Sequence, residues 1–323
     1  MEANGLIHAF ILDGNGGGQK VGWDEIDQWS PDQGKLWIHL NYTSEGAAHW
    51  LELKSGLESL IVDALLSEET RPRSTVIGRG ILLTLRGINH NPGEDAEDMV
   101  SLRIWAEENI IITTRKRQLL SVTQLGVQIS KGCGPTSPCD FIVRVSDLLT
   151  SYIEDAVDHL ENTTSELEER VNFSHEGSLR TKLSALRRST ILLRRYLAPQ
   201  REAIVRMQLE NVSWFTEKDK RHLYEGANSL IRIVEDLDSL RDRASVAREE
   251  LTNALSAQLN SRMYVLSIIT AIFLPLSFFT GLLGINVGGI PGANSRWAFL
   301  IVIILLLGVC TCQYFFFRKR KWI

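Results

Sequence analysis

MYVLSIITAIFLPLSFFTGLLGI (residues 263–285) and WAFLIVIILLLGVCTCQYFFF (residues 297–317) are two apolar runs without a charged residue. As α-helices each would be about 30 Å long or slightly more, enough to cross the hydrocarbon core of a bilayer. An Asn/Gly/Pro-rich segment, residues 286–296, joins them. The sequence therefore predicts an integral membrane protein with a soluble part of about 260 residues. Because two helices cannot enclose a pore, a transport function would require several copies of the chain.

Composition limits the remaining possibilities. The 323-residue chain is 23% charged and has a formal net charge of −4, so nothing favours a nucleic-acid partner. The first residues lack the basic and apolar parts of a signal peptide, and we expect the large soluble part to stay in the cytoplasm. The sequence contains no Gly-x-Ser-x-Gly, His-Glu-x-x-His or Walker A motif, so an enzyme is not expected.

Positive charges predict the orientation of the two spans. Arginines precede the first span, including Arg262, and the basic segment 318–321 follows the second, whereas the connecting loop carries only Arg296. By the positive-inside rule both termini are cytoplasmic.

The soluble part divides into two regions by its pattern. Residues 1–140 show short β-rich runs between turns and helical stretches, which predicts an α/β domain. The β-rich runs are 6–12, 36–40, 80–88, 100–106 and 109–114, and the helical stretches are 44–53 and 59–66. The glycine-rich segment 14–18 lacks a following Gly-Lys-Ser/Thr, so a strand connection is favoured over a phosphate loop. Residues 141–262 show helical periodicity, which predicts an antiparallel pair near 141–173 and 178–212. A third helix begins near Thr216 and continues into the first span, with apolar residues at three- and four-residue steps.

The same three- and four-residue steps continue across the membrane boundary. They define a mostly small or hydroxylated series, called here the small-residue stripe: Asn260, Met263, Ser267, Thr270, Leu274, Ser277, Gly281 and Gly284. The opposite face of this span is wholly apolar. Such a stripe can be a close-packing seam between helices in lipid. Alternatively, in a symmetric ring of first spans, it can line a water-filled ion path.

The chemistry of that path is defined by what the spans lack. Neither span contains Asp, Glu, His, Lys or Arg, so no proton relay or carboxylate cage can form there. Cys310 and Cys312 lie about 200° apart on a helix and cannot chelate one ion together. A small divalent ion holds its water tightly, and we therefore expect it to pass with most of its hydration intact. In the soluble part, Cys133 and Cys139 are expected to be free thiols, since a zinc site would need further ligands such as His159 or His175.

The end of the first span points to a family. The sequence FLPLSFFTGLLGIN (residues 273–286), the motif Gly284-Ile285-Asn286, the following VGGIPG and the basic residues 318–321 resemble the CorA superfamily of divalent-cation transporters. The family signature is Gly-Met-Asn, and the isoleucine variant is similar to the zinc-associated ZntB branch. Leu283 replaces the aromatic residue usual in the magnesium transporters, and the loop has no acidic residue. Both departures favour the ZntB-like branch.

The resemblance implies an architecture and a function. It implies a funnel-shaped homopentamer in a bacterial inner membrane, with an α/β cytoplasmic domain, long helices and a first span that lines the pore. It further implies that Zn²⁺ is the transported ion, that no cofactor is tightly bound, and that five Asn286 side chains ring the outer entrance. Its relatives bind regulatory metal between subunits near positions that Glu225 and Glu249 would occupy. A CorA-type Mg²⁺, Co²⁺ or Ni²⁺ channel and a non-conducting metal sensor are the alternatives.

Overall fold

The computed structural model describes residues 4–68, 71–173, 177–210, 212–285, 290, 292 and 295–320. The chain forms two compact units, Met1–Glu249 and Glu250–Ile323. The first unit begins with a seven-stranded sheet and its flanking helices. The strands are β1 (Leu6–Leu12), β2 (Gly18–Lys20), β3 (Lys35–Asn41), β4 (Arg73–Ile77), β5 (Gly80–Gly87), β6 (Val100–Ala106) and β7 (Ile110–Arg115). The helices of this region are α1 (Trp23–Asp27), α2 (Glu45–Leu53), α3 (Ser59–Leu66) and α4 (Leu120–Ser130).

The sheet has the order β2-β1-β3-β7-β6-β5-β4. The β3–β7 pair is parallel and the other five pairs are antiparallel. Central strands are buried along almost their whole length because helices cover both faces of the sheet. In β3, for example, Leu36 and Ile38 contribute to the core beneath α2 and α3, whereas Trp37 contributes to the core shared with the later helices. The period-two alternation of a strand explains this division.

Three long helices follow the sheet region: α5 (Pro138–Phe173), α6 (Gly177–Leu209) and α7 (Glu217–Leu283). The start of α5 is set by Pro138, which suits the first turn of a helix, and by the Ser137 hydroxyl, which accepts the N–H of Asp140 at 3.0 Å. The start of α7 is set by a capping box. The Thr216 hydroxyl accepts the Asp219 N–H at 3.2 Å, and the Asp219 carboxylate accepts the Thr216 N–H at 2.9 Å.

The predicted periodicity of α7 matches its burial in the first unit. Leu223, Ala227, Leu230 and Leu237 belong to the same core as α5 and α6. Arg243 lies on a more exposed side of the helix and forms a two-point ion pair with Glu168 of α5, at 2.9 and 2.6 Å. The three- and four-residue apolar spacing therefore reports a helix bundle inside one chain.

The second unit contains the remainder of α7 and a further helix, α8 (Ala298–Lys319). Among the described residues, α7 and α8 are the helices that contain a stretch long and apolar enough to cross a membrane. The predicted first span, residues 263–285, lies at the C-terminal end of α7, and the predicted second span, residues 297–317, overlaps most of α8. The first helix ends at Leu283, and the second extends two residues into the basic segment.

The sequence missed four elements of the first unit: β2, β4, α1 and α4. The strands β2 and β4 lie at the two edges of the sheet and contain no buried residue, so they lack the apolar alternation that marks a strand. The glycine-rich segment 14–18 connects β1 to the antiparallel β2, and its interpretation as a strand connection is confirmed.

Candidate ion pathway

The small-residue stripe lies on an uncovered side of α7. All eight of its residues are exposed in the single chain, and Leu274 has an exposed fraction of 65%. The Ser267 hydroxyl donates to the Met263 carbonyl at 2.8 Å, and the Thr270 hydroxyl donates to the Leu266 carbonyl at 2.9 Å. With their protons directed to their own helix, these hydroxyl oxygens retain lone pairs that can accept hydrogen bonds from water.

The opposite face of α7 packs against α8. Ile268, Ile272, Leu276 and Phe279 are half-buried at three- and four-residue steps. On α8 the half-buried or buried residues also follow helical spacing: Ala298, Val302, Leu306, Val309, Cys310, Gln313 and Phe317. The Gln313 side chain joins the two helices because its Nε2 donates to the Ala271 carbonyl oxygen at 3.2 Å. The stripe is thus within the part of the first span that α8 leaves open, a part that also includes the apolar residues Ile269 and Phe273.

The outer end of the stripe is a helix terminus. The Gly284 N–H donates to the Thr280 carbonyl at 3.0 Å. A Cβ on Gly284 would lie 3.1 Å from that carbonyl oxygen, which is tight, so glycine relieves crowding where the helix ends. Ile285 follows and is about half exposed. Asn286, predicted to act at the entrance, lies outside the described residues.

Gln313 is the functional candidate that the sequence reasoning missed. It lies within the apolar run of α8, and its partner Ala271 stands four residues before Pro275. An amide inside an otherwise apolar span, together with a proline in the other span, is a signal that the sequence does contain. The pairing of these two features depends on how α8 packs against α7, over a separation of 42 residues.

The structure does not bring Glu225 and Glu249 together. They are 24 residues apart on one helix, which corresponds to about 36 Å along its axis. Glu225 lines a cleft of about 430 Å³ with Lys218, Arg221 and His222, and Glu249 is exposed. Within the described ranges, no group of three or more His, Cys, Asp or Glu side chains could hold a metal ion.

A polar cleft of about 640 Å³ lies at the start of α5 and α7, and its lining includes Asp140, Asp147, Asp219 and His222. Partial burial raises the pKa of Asp147, an effect that the neighbouring charge of His222 opposes. Close by, burial raises the pKa of the Cys139 thiol, and the Asp219 carboxylate raises it further. Cys139 therefore stays a protonated thiol, which is a poor zinc ligand.

The other cysteines differ in their exposure. All four cysteines are free, with Cys133 exposed and Cys139 buried. In the second unit Cys310 is half-buried, whereas Cys312 is exposed. His159 is an exposed residue of α5. His175, the other ligand considered for Cys133 and Cys139, is outside the described residues.

Comparison with known proteins identifies the family. Residues 32–319 match the family model described as "CorA-like Mg2+ transporter protein". The divalent cation transporter CmaX of Pseudomonas aeruginosa is 38% identical over 326 residues, covering 100% of this chain and 98% of that protein. The zinc transport protein ZntB of Pectobacterium atrosepticum is 33% identical over 328 residues, with the same coverage.

The fold agrees with this relationship. The solved structure of full-length CmaX superposes with a TM-score of 0.87 at 37% identity, covering 100% of this chain and 99% of that one. The predicted fold class, an α/β domain followed by long helices and two C-terminal apolar helices, is therefore confirmed. On the match over residues 32–319 and the full-length similarity to these relatives, the chain belongs to the CorA family of metal-ion transporters.

Proposed function

We propose that this protein is a homopentameric transporter that carries divalent metal cations, and Zn²⁺ in particular, across a bacterial inner membrane. The observation that carries the proposal is the exposure of the small-residue stripe along a membrane helix whose opposite face is packed against α8. In a single chain this arrangement leaves an uncharged, partly hydroxylated surface without cover. A ring of five first spans would place those five surfaces around one axis.

The chemistry of the stripe suits a hydrated ion. Ser267 and Thr270 present hydroxyl oxygens whose protons are already bonded within the helix. These oxygens can accept hydrogen bonds from the waters that surround a cation, and they carry no charge that would trap it. Leu274 forms an apolar step between the hydroxyls of Thr270 and Ser277. An ion would therefore cross by exchanging hydrogen bonds through its water shell.

At the entrance, Gly284-Ile285-Asn286 supplies the family motif in its isoleucine form. A ring of Asn286 amide oxygens would hold the first-shell waters of an arriving cation without binding the ion irreversibly. The cytoplasmic α/β domain and the two cytoplasmic termini follow from the distribution of positive charge around the spans.

Zinc is proposed as the ion because the motif variant resembles the ZntB branch and because proteins called zinc transport protein ZntB are full-length relatives. A second candidate is a channel for Mg²⁺, Co²⁺ or Ni²⁺, which the description of the family model favours. The relative at 38% identity is called a divalent cation transporter without a named ion. The two candidates differ in selectivity and share the same path.

The test is ion flux into liposomes that contain the purified full-length protein and an enclosed metal indicator. We expect Zn²⁺ to enter faster than Mg²⁺, Co²⁺ or Ni²⁺, and protein-free liposomes to show the background leak. Faster Mg²⁺ entry would replace zinc by the second candidate. Absence of flux for all four ions would favour a non-conducting metal sensor. Repeating the zinc measurement with and without a pH gradient tests proton coupling, for which the spans offer no titratable Asp, Glu or His.

A further inference from the structure

Pro275 removes one backbone hydrogen bond from the first membrane span. In an α-helix the N–H of each residue bonds to the carbonyl four residues earlier, but proline has no N–H. The carbonyl of Ala271 therefore loses its regular helical donor. In a soluble helix water can replace that donor, whereas the hydrocarbon core of a bilayer contains no water to do so. A carbonyl without a hydrogen bond in the hydrocarbon core is energetically costly, so a hydrogen-bond donor from outside the α7 backbone would stabilise the span.

The side chain of Gln313 supplies such a donor. Its Nε2 donates to the Ala271 carbonyl oxygen at 3.2 Å, across the contact between α8 and α7. A carbonyl oxygen can only accept, so this contact fixes which end of the amide points at α7. The Gln313 Oε1 is buried and has no hydrogen-bond partner among the described residues. Burying Oε1 without a partner in that part of the chain is the cost of placing an amide in an apolar run. The hydrogen bond from Nε2 to Ala271 explains why an amide is nevertheless found there.

The bond is adjacent to the small-residue stripe in the first span. Ala271 follows Thr270 in the chain, and Pro275 follows Leu274, so the turn that proline weakens carries two stripe residues. Sharp bends in helices occur at proline, where the hydrogen-bond ladder is interrupted. A donor at Ala271 restrains that bend and thereby the directions in which Thr270 and Leu274 point.

We propose that Gln313 is a positioning residue for the ion pathway: its side-chain amide replaces the hydrogen bond that Pro275 removes and holds the stripe in its conducting orientation. The identification of the stripe as a pathway depends on the proposed function, whereas the pairing of Gln313 with the proline-weakened turn depends only on the two helices. This role differs from simply holding the two helices together. If Gln313 replaces the bond that proline removes, changing Gln313 should affect the pathway only when residue 275 is proline.

The experiment is a double-mutant cycle in the full-length protein. Gln313→Leu removes the donor at similar volume, and Pro275→Ala restores the helical N–H that Ala271 lacks. Thr311→Val is the matched control, since the Thr311 hydroxyl donates to the Leu307 carbonyl at 2.7 Å within its own helix and does not reach α7. Zinc flux in liposomes is measured for each variant.

We expect Gln313→Leu to lower flux by about threefold to about fifteenfold, the range that hydrogen bonds between membrane helices produce. Thr311→Val should retain wild-type flux. In the Pro275→Ala background, the further change Gln313→Leu should have no effect. An equal loss in both backgrounds, or wild-type flux in Gln313→Leu, would overturn the proposal.

A second readout separates this inference from the proposed function. In a variant without native cysteines, Leu274→Cys reports the orientation of the stripe through its rate of reaction with a hydrophilic thiol reagent. Gln313→Leu should change that rate when residue 275 is proline and leave it unchanged when residue 275 is alanine. This result would stand even if the wild-type protein moved no ion. If Gln313→Leu alone does not fold, Pro275→Ala should restore folding of the double variant, and a double variant that also fails would contradict the inference.

Discussion

In the unit that ends at Glu249, the large side chains of Trp37 and Phe141 are completely buried, whereas in the unit after it Phe299 has an exposed fraction of 78%. Of the hydrophobic residues described after Glu249, Leu251 and Phe317 are the buried ones. The first unit thus satisfies its apolar side chains within one chain. The second unit leaves such surfaces exposed in the single chain, and the small-residue stripe is one of them. The proposed function assigns these surfaces to lipid and to further copies of the chain.

The two units also differ in the surroundings of the backbone carbonyl that loses its helical donor to a proline. Pro199 lies inside α6 and Pro275 inside α7. The residue that loses its helical donor is Arg195 in the first case, an exposed residue that water can reach. In the second case it is Ala271, which receives the side-chain amide of Gln313. The comparison indicates that the membrane unit must meet its backbone hydrogen bonds with protein groups, as a medium without water requires.

The largest effect is expected at the entrance. Asn286→Ala should reduce zinc flux by about tenfold to about hundredfold, the factor that corresponds to losing one hydrogen bond near a charged group. The protein should remain folded, because the proposed ring would act on the ion and not on the packing of the chain. The measurement is flux in liposomes, with Asn162→Ala, an exposed position on α5, as the control. Wild-type flux in Asn286→Ala would remove Asn286 from the pathway.

A thiol-labelling scan tests the difference between the stripe and the rest of the first span. Cysteines placed singly at Thr270, Leu274 and Ser277, in a variant without native cysteines, should react with a hydrophilic reagent and block flux. Those at Ile269, Ile272 and Phe273 should react slowly, since lipid or packed protein suppresses the reactive thiolate. Labelling that followed the Ile272 face would make the stripe a packing seam.

Matched leucine truncations compare burial in the two units directly. Leu230 is fully buried in the core of the first unit, whereas Leu307 has an exposed fraction of 61% on α8. Leu230→Ala should lower the free energy of unfolding by about 2–5 kcal/mol because it leaves a cavity. Leu307→Ala should leave Tm nearly unchanged, because detergent fills the space around an exposed side chain. The measurement is Tm of the full-length protein in detergent. Equal shifts would indicate that Leu307 packs in a protein interface.

The sequence predicts features of the fold that depend on local patterns, whereas it does not predict contacts between residues far apart in the chain. The β-rich runs at β3 and β5 and the three- and four-residue steps of α7 are local patterns, and each was predicted. The edge strand β4 was missed because its Arg-Ser-Thr start lacks an apolar face. The stripe could be identified from spacing alone, but the bond between Gln313 and Ala271 could not, since it depends on the register of two helices.

A smaller effect is expected from pH in the first unit. His39 is buried in the sheet, where its Nδ1 lies 2.8 Å from the Thr113 hydroxyl and the Arg115 Nε donates to its Nε2 at 3.0 Å. Burial lowers the pKa of His39 well below 6.5, and the charges of Arg115 and His8 lower it further. The folded state therefore keeps His39 neutral. Below pH 6.5 the His39 imidazole binds a proton in the unfolded chain but stays neutral in the folded state.

The contribution of His39 to the free energy of unfolding is therefore fully present above pH 6.5. It decreases as the pH falls below 6.5, by at most about 1.4 kcal/mol per pH unit for this group. We expect Tm to fall between pH 7 and pH 5.5, and to fall less in His39→Gln. The variant His49→Gln, at an exposed position on α2, should keep the pH dependence of the wild type. A His39→Gln variant with an unchanged slope would show that other groups determine it.

The smallest effect is expected at the cysteines, in both units. Cys133→Ser with Cys139→Ser should leave zinc flux nearly unchanged, because Cys139 is held as a protonated thiol beside Asp219 and a serine hydroxyl can donate to the same carboxylate. Cys310→Ser with Cys312→Ser should likewise be neutral, because two residues separated by about 200° around α8 cannot bind one ion together. Flux is measured alongside expression level, so that a folding defect is recognised. Loss of flux in the first pair at normal expression would reveal a zinc site in the first unit, and loss in the second pair would place a thiol in the ion pathway.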